Sequence, residues 1–135
     1  MGPSISSSNE GMILFLDDAA ERAAKFCEKL NSAEQSRTIW CKSSEEAIIT
    51  IRDYHDRLTL MFLDHDLGVG EQNFKSPESG MEVIRYLEKN LLVTKSLLHN
   101  KCRIVVHSWN SPAAKIMVER LENLGFLAVY RPFGM

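Results

Sequence analysis

The chain has 135 residues, 44% hydrophobic and 25% charged, with a formal net charge of −2. Those proportions belong to one ordinary globular domain, long enough to bury about two thirds of its unfolded surface. They exclude a membrane span, since no apolar run approaches the ~18 residues required, and a grip on long duplex nucleic acid, which takes a basic face.

Residues 1–11, with Ser4, Ser6, Ser7 and Ser8, are polar and unpatterned; they are expected to form a disordered leader, and residues 12–135 a single domain. No basic region followed by an apolar one opens the chain, so no secretory signal is expected. Ile13-Leu14-Phe15-Leu16 is an apolar strand closed by Asp17 and Asp18. Ala20, Ala23, Ala24, Cys27 and Leu30 then recur at helical spacing, with Asp18 placed to cap the helix and Glu21 to complete a capping box. Residues 37–41 form a short strand. Ser43 and Glu46 have capping-box spacing before a helix whose apolar face is Ala47, Ile48, Ile51 and Tyr54.

Residues 58–63 are continuously apolar, as a strand covered on both faces must be, and they close on Asp64, His65 and Asp66. The polar segment 68–79 is long for a connection inside a domain, which marks it as a functional loop or a plain surface one. Gly80, Val83, Ile84, Leu87 and Leu91 outline the next helix, and residues 102–106 a fourth buried strand. Ser111 and Pro112 suit the start of a helix with Ala114, Met117, Val118, Leu121 and Leu124 on its buried face and Gly125 as its stop. Residues 127–130 make the last strand, ahead of Arg131-Pro132. Cys27, Cys41 and Cys102 are odd in number and widely spaced within apolar patterns. They read as buried free thiols in a reducing, cytoplasmic setting.

Strands alternating with helices call for a parallel sheet with right-handed crossovers and helices on both faces. Five such strands most economically form a flavodoxin-like three-layer α/β sandwich of order 2-1-3-4-5. Its switch point, where ligands bind beyond the strand ends, lies between strands one and three. Those two strands carry the acids, so Asp17, Asp18, Asp64 and Asp66 are candidates for one cation site. Close carboxylates repel each other and demand a cation or protonation, and a hard ion such as Mg²⁺ takes their oxygens.

With Asp17-Asp18 ending the first strand, Asp64 ending the third, Ser79-Gly80 opening a helix, Ser108 ending the fourth strand and Arg131-Pro132 after the fifth, the chain resembles a two-component receiver domain from Met12 onward. That resemblance implies a phosphoacceptor at Asp64, a backbone carbonyl from Asp66 to Mg²⁺, and a phosphate contact from Ser108. It departs from the ordinary receiver in carrying Arg131 where lysine is usual, in its longer loop after Asp64, and in the absence of a fifth helix pattern. The arginine that usually follows the acidic pair is displaced to Arg22. Leu63-Asp64-His65-Asp66-Leu67-Gly68 together with His107-Ser108-Trp109-Asn110 is more similar to a receiver-derived family thought to process cyclic phosphates. There the histidines are proposed to assist chemistry on nucleic-acid ends.

The resemblance implies a metal-dependent hydrolysis of a cyclic phosphate on a nucleotide or RNA terminus. Asp17, Asp18, Asp64 and Asp66 would hold Mg²⁺ or another divalent cation. His65 and His107 would transfer protons, as imidazole near neutral pH can do in either direction. Ser108, Arg131 and Asn110 would hold the phosphate, Arg131 through its planar fork. Strand alternation turns His65 and His107 away from Asp64, onto one shared face; there they either join the chemistry or pack inertly under a helix. Trp109 and Asn110 suit a base or sugar, or serve as a loop anchor. Two other functions stay open: a stand-alone receiver phosphorylated on Asp64 and read by a protein partner, and a non-catalytic module that binds a cyclic nucleotide or a protein.

Overall fold

The computed structural model describes residues 11–64, 80–108 and 111–131. Five strands alternate with helices: β1 (Met12–Leu16), α1 (Ala20–Glu28), α2 (Ser32–Ser36), β2 (Thr38–Cys41), α3 (Ser44–Tyr54), β3 (Leu58–Asp64), α4 (Met81–Lys89), α5 (Leu91–His99), β4 (Arg103–His107), α6 (Ser111–Leu124) and β5 (Leu127–Tyr130). The strands pair in parallel in the order β2-β1-β3-β4-β5, as the sequence pattern predicts.

Side chains alternate across the sheet and divide the core into two layers. Leu14 and Leu16 of β1, Met61 and Leu63 of β3, and Ile104 and Val106 of β4 join one cluster with Ala47 and Ile51 of α3, Ile84 and Leu87 of α4, and Met117 and Leu121 of α6. Phe15 and Phe62 have the opposite parity. The Phe15 ring stacks on Phe26 of α1 with centroids 4.2 Å apart, and Phe26 meets Phe62 edge-on at 4.6 Å. This aromatic layer lies between the sheet and α1.

Several local features differ from the sequence reading, each for a visible reason. The α1 N-cap is Ala19, without a side-chain cap, so Asp18 does not close a capping box. The exposed helix α2 is set by Asn31 and Glu34, which do form a reciprocal box. Ser43 caps α3 by accepting from the Glu46 amide, but the Glu46 carboxylate reaches back to the amide of Lys42 rather than to Ser43. The helix expected to run through Leu91 ends at Lys89: Asn90 caps it at φ −117° and ψ 76°, its side-chain amide joining its backbone amide on the Tyr86 carbonyl, a local bond of the kind that favours helix ends. Leu91 therefore opens α5 and is exposed, outside the buried face. Helix α6 begins at Ser111 itself and ends as expected: Gly125 has φ 107°, its amide donates to the Glu122 carbonyl and that of Phe126 to Leu121, the five-to-two and six-to-one bonds of a Schellman cap.

Among the described residues, no helix is long and apolar enough to cross a membrane. All three cysteines are free; Cys41 and Cys102 are buried and Cys27 is half-buried. Burial is the main reason both buried thiols titrate high, Cys102 being pushed up to about 12.

Candidate functional site

Three strand ends and two helix starts build the site. β1 runs out at Leu16, and the next amide, that of Asp17, still donates to Cys41 on β2. The Trp40 indole N–H donates to the Asp17 carbonyl at 2.7 Å. These bonds fix a carboxylate that is wholly buried. Asp64 ends β3, and Gly80 sits directly against its carbonyl oxygen, where any Cβ would collide. The glycine is needed here for close approach rather than for an unusual φ.

Across β3 and β4, Asp64 and His107 are register partners. Parity therefore places His107, not Ser108, on the face that Asp64 shares. The expectation that His65 and His107 would lie together, turned from Asp64, fails for His107 because the register differs by one residue from the one that expectation assumed. His107 Nδ1 is 3.7 Å from Asp17 Oδ2. Asp17, Asp64 and His107 are all buried, and each offers one ligand atom within 4.8 Å of the others. Two carboxylates and an imidazole are a donor set that fits a divalent cation.

The His107 ring lies flat on Phe15, with centroids 5.1 Å apart and planes 3° from parallel. Burial lowers its pKa to about 4; Asp17 and a backbone hydrogen bond at Leu16 pull it up, while Arg22 adds to the depression. His107 is thus an uncharged imidazole at neutral pH.

Arg22, only loosely indicated by the sequence, is central in the structure. Its Nε donates to Asp17 Oδ2 and its Nη2 to Asp17 Oδ1, both at 2.8 Å. The same Nη2 is 3.4 Å from Asp18 Oδ1 and 3.6 Å from Asp64 Oδ2. The hydrogen bond to Asp17 is the main cause of a raised Arg22 pKa. The signal available in the sequence was spacing: Arg22 follows Asp18 by one helical turn, where a cation meets an acid on the same face.

Asp18 is half-buried and is not one of the three clustered ligands; within the site it meets Arg22. Ser108 is buried just beyond β4, and its carbonyl accepts from the Tyr130 hydroxyl at 2.9 Å. Arg131 follows β5, with its amide bonded to the Val106 carbonyl and its side chain exposed. His65, Asp66, Trp109, Asn110 and the 68–79 segment lie outside the described residues.

A parallel sheet of order 2-1-3-4-5 with buried aspartates where its first and third strands end is the architecture of a receiver domain. Solved structures agree. A signal receiver domain from Vibrio parahaemolyticus is 14% identical, with a TM-score of 0.59 over 93% of this chain and 79% of that one. A CheY-like response regulator receiver domain from Methanospirillum hungatei is 17% identical, with a TM-score of 0.58 over 93% and 82%. The receiver domain of the histidine kinase CKI1 from Arabidopsis thaliana, in complex with Mg²⁺ and BeF₃⁻, is 20% identical, with a TM-score of 0.57 over 89% and 82%. No curated protein sequence matches significantly. Over residues 12–123 the chain matches the cyclic-phosphate processing receiver domain, and it belongs to that family.

Proposed function

We propose that this domain hydrolyses a cyclic phosphate on a nucleotide or RNA terminus, with a divalent cation held by Asp17, Asp64 and His107. The observation that carries the reading is the convergence of those three buried ligand atoms within 4.8 Å of one another. It occurs at the functional edge of a sheet whose family is named for cyclic-phosphate processing. Carboxylate oxygens suit Mg²⁺ and Mn²⁺, and the imidazole extends the range toward Zn²⁺. Such an ion, when bound, makes water more acidic and withdraws charge from a phosphoryl oxygen.

Ring opening forms a bond from the water oxygen to phosphorus and breaks one ring P–O bond. The water gives up a proton and the departing ribose oxygen gains one. His107, uncharged at neutral pH, can hold the ion or accept a proton, but its one remaining ring N–H is too weakly acidic to protonate the leaving oxygen. The proton donor in this scheme is His65. Asp18 and Asp66 support the ion, while Ser108, Arg131 and Asn110 bind phosphoryl oxygens. The test is ³¹P NMR of the protein with Mg²⁺ and a 2′,3′-cyclic nucleotide. Monoester resonances that are lost in Asp64→Asn are expected, and an unchanged spectrum overturns the reading.

A second reading draws on the position of Asp64, at the end of β3 beside Arg22, and on the Mg²⁺ and BeF₃⁻ bound by the Arabidopsis receiver domain. In it, Asp64 accepts a phosphoryl group and a protein partner reads the result. Acetyl phosphate giving an acid-labile mass increase absent from Asp64→Asn would favour it. Tight binding of a cyclic nucleotide recovered unchanged would instead identify a binding module.

A further inference from the structure

The reaction scheme leaves one charged group of the site unused. Arg22 forks onto the buried Asp17 carboxylate with Nε and Nη2, each bond 2.8 Å long. The Ala19 amide donates to Asp17 Oδ1 as well, at 2.9 Å. A carboxylate has about four lone-pair directions, so the guanidinium takes a large share of what Asp17 can offer. Its Nη2 is also 3.6 Å from Asp64 Oδ2, so a single nitrogen spans the two carboxylates that an ion would span.

Arginine does not lose its proton in proteins, so it cannot yield this place by becoming neutral. It can yield it only by moving. The geometry allows that: the side chain is 30% exposed, unlike Asp17 at 0% and Asp64 at 6%, and it springs from the first turn of α1. We infer that Arg22 and a divalent cation are alternative counter-ions for Asp17 and Asp64, and that the ion enters by displacing the guanidinium. The inference rests on the reading that Asp17, Asp64 and His107 hold such an ion. Arg22 is then a positioning residue. It holds the buried carboxylates together and neutralised until the ion arrives, and its released fork matches phosphoryl oxygens as well as it matched carboxylates.

The sign of one substitution separates this from a supporting role. Mg²⁺ titrated by calorimetry into the full chain should bind Arg22→Gln more tightly than wild type by about tenfold or more, an ordinary scale for coupling between two ligands. A residue that supports the ion would give weaker binding when removed. In wild-type protein the Arg22 side-chain Nε–Hε NMR signal, protected by the fork, should move toward that of a solvated arginine as Mg²⁺ saturates. That second measurement decides the matter if Arg22→Gln does not fold. Binding of Mg²⁺ with an unmoved Arg22 signal, or with equal or weaker affinity in the variant, overturns the displacement and leaves the metal reading standing. Absence of Mg²⁺ binding in both proteins removes the metal reading, and this inference with it.

Discussion

The His107 ring lies flat on the Phe15 ring, 5.1 Å between centroids, with its edge toward Asp17. An imidazole so placed is held by aromatic packing and loses its water, and this sets its pKa at about 4. The unfolded chain titrates near 6.5, so between these values the unfolded state binds more protons than the folded one. Stability therefore rises with pH in this window and falls as the solution is acidified. From pH 7 to pH 5 the metal-free protein should lose about 2 kcal/mol on this account. Urea denaturation at the two pH values checks it, and His107→Phe should flatten the slope.

Gly80 is the second place where packing dictates a residue. A Cβ there would strike the Asp64 carbonyl and come within 2.9 Å of the Met117 methyl. The Met117 methyl ends a flexible side chain and can give, but the Asp64 carbonyl is backbone held by the sheet, so the start of α4 must move. Gly80→Ala should destabilise the domain by about 2–3 kcal/mol and weaken any ion binding that uses Asp64. Denaturation and calorimetry on the same variant test the two effects together.

The cysteines give a prediction independent of function. Cys102 is buried with its thiol pushed up to about 12, and Cys41 is buried and shifted in the same direction. Neither presents a thiolate near neutral pH, and the thiolate is the reactive form. A thiol reagent at pH 8 should modify Cys27, which is half-buried, and reach the other two only on unfolding. Rapid native labelling of Cys102, read by peptide mass, would contradict the packing of β4.

The strand pattern of apolar runs alternating with helical periodicity was enough to give the sheet order, because burial on both faces leaves few alternatives. Asp17 and Asp64 were equally legible, since charged groups ending such runs must lie at the sheet edge. What failed depended on register and on competition between side chains. Pairing Asp64 with His107 rather than Ser108 is a one-residue matter that flips a face, and hydrophobic pattern does not fix it between two largely apolar strands. The break at Asn90 depends on a side chain bonding the backbone behind it. Arg22 was legible only as a displaced counterpart of the arginine that follows the acidic pair in receivers, and its spacing alone did not say which acids it would meet. Only the folded chain shows it inside a ring of three aspartates.

The central claim is that water opens a cyclic phosphate at the Asp17, Asp64 and His107 cluster. The most direct measurement is incubation of the protein with Mg²⁺ and a 2′,3′-cyclic nucleotide in ¹⁸O-labelled water, followed by mass spectrometry of the nucleotide. The account predicts a phosphate monoester carrying one heavy oxygen from the wild-type protein and none from Asp64→Asn. Cyclic nucleotide recovered intact and unlabelled from the wild type would contradict it.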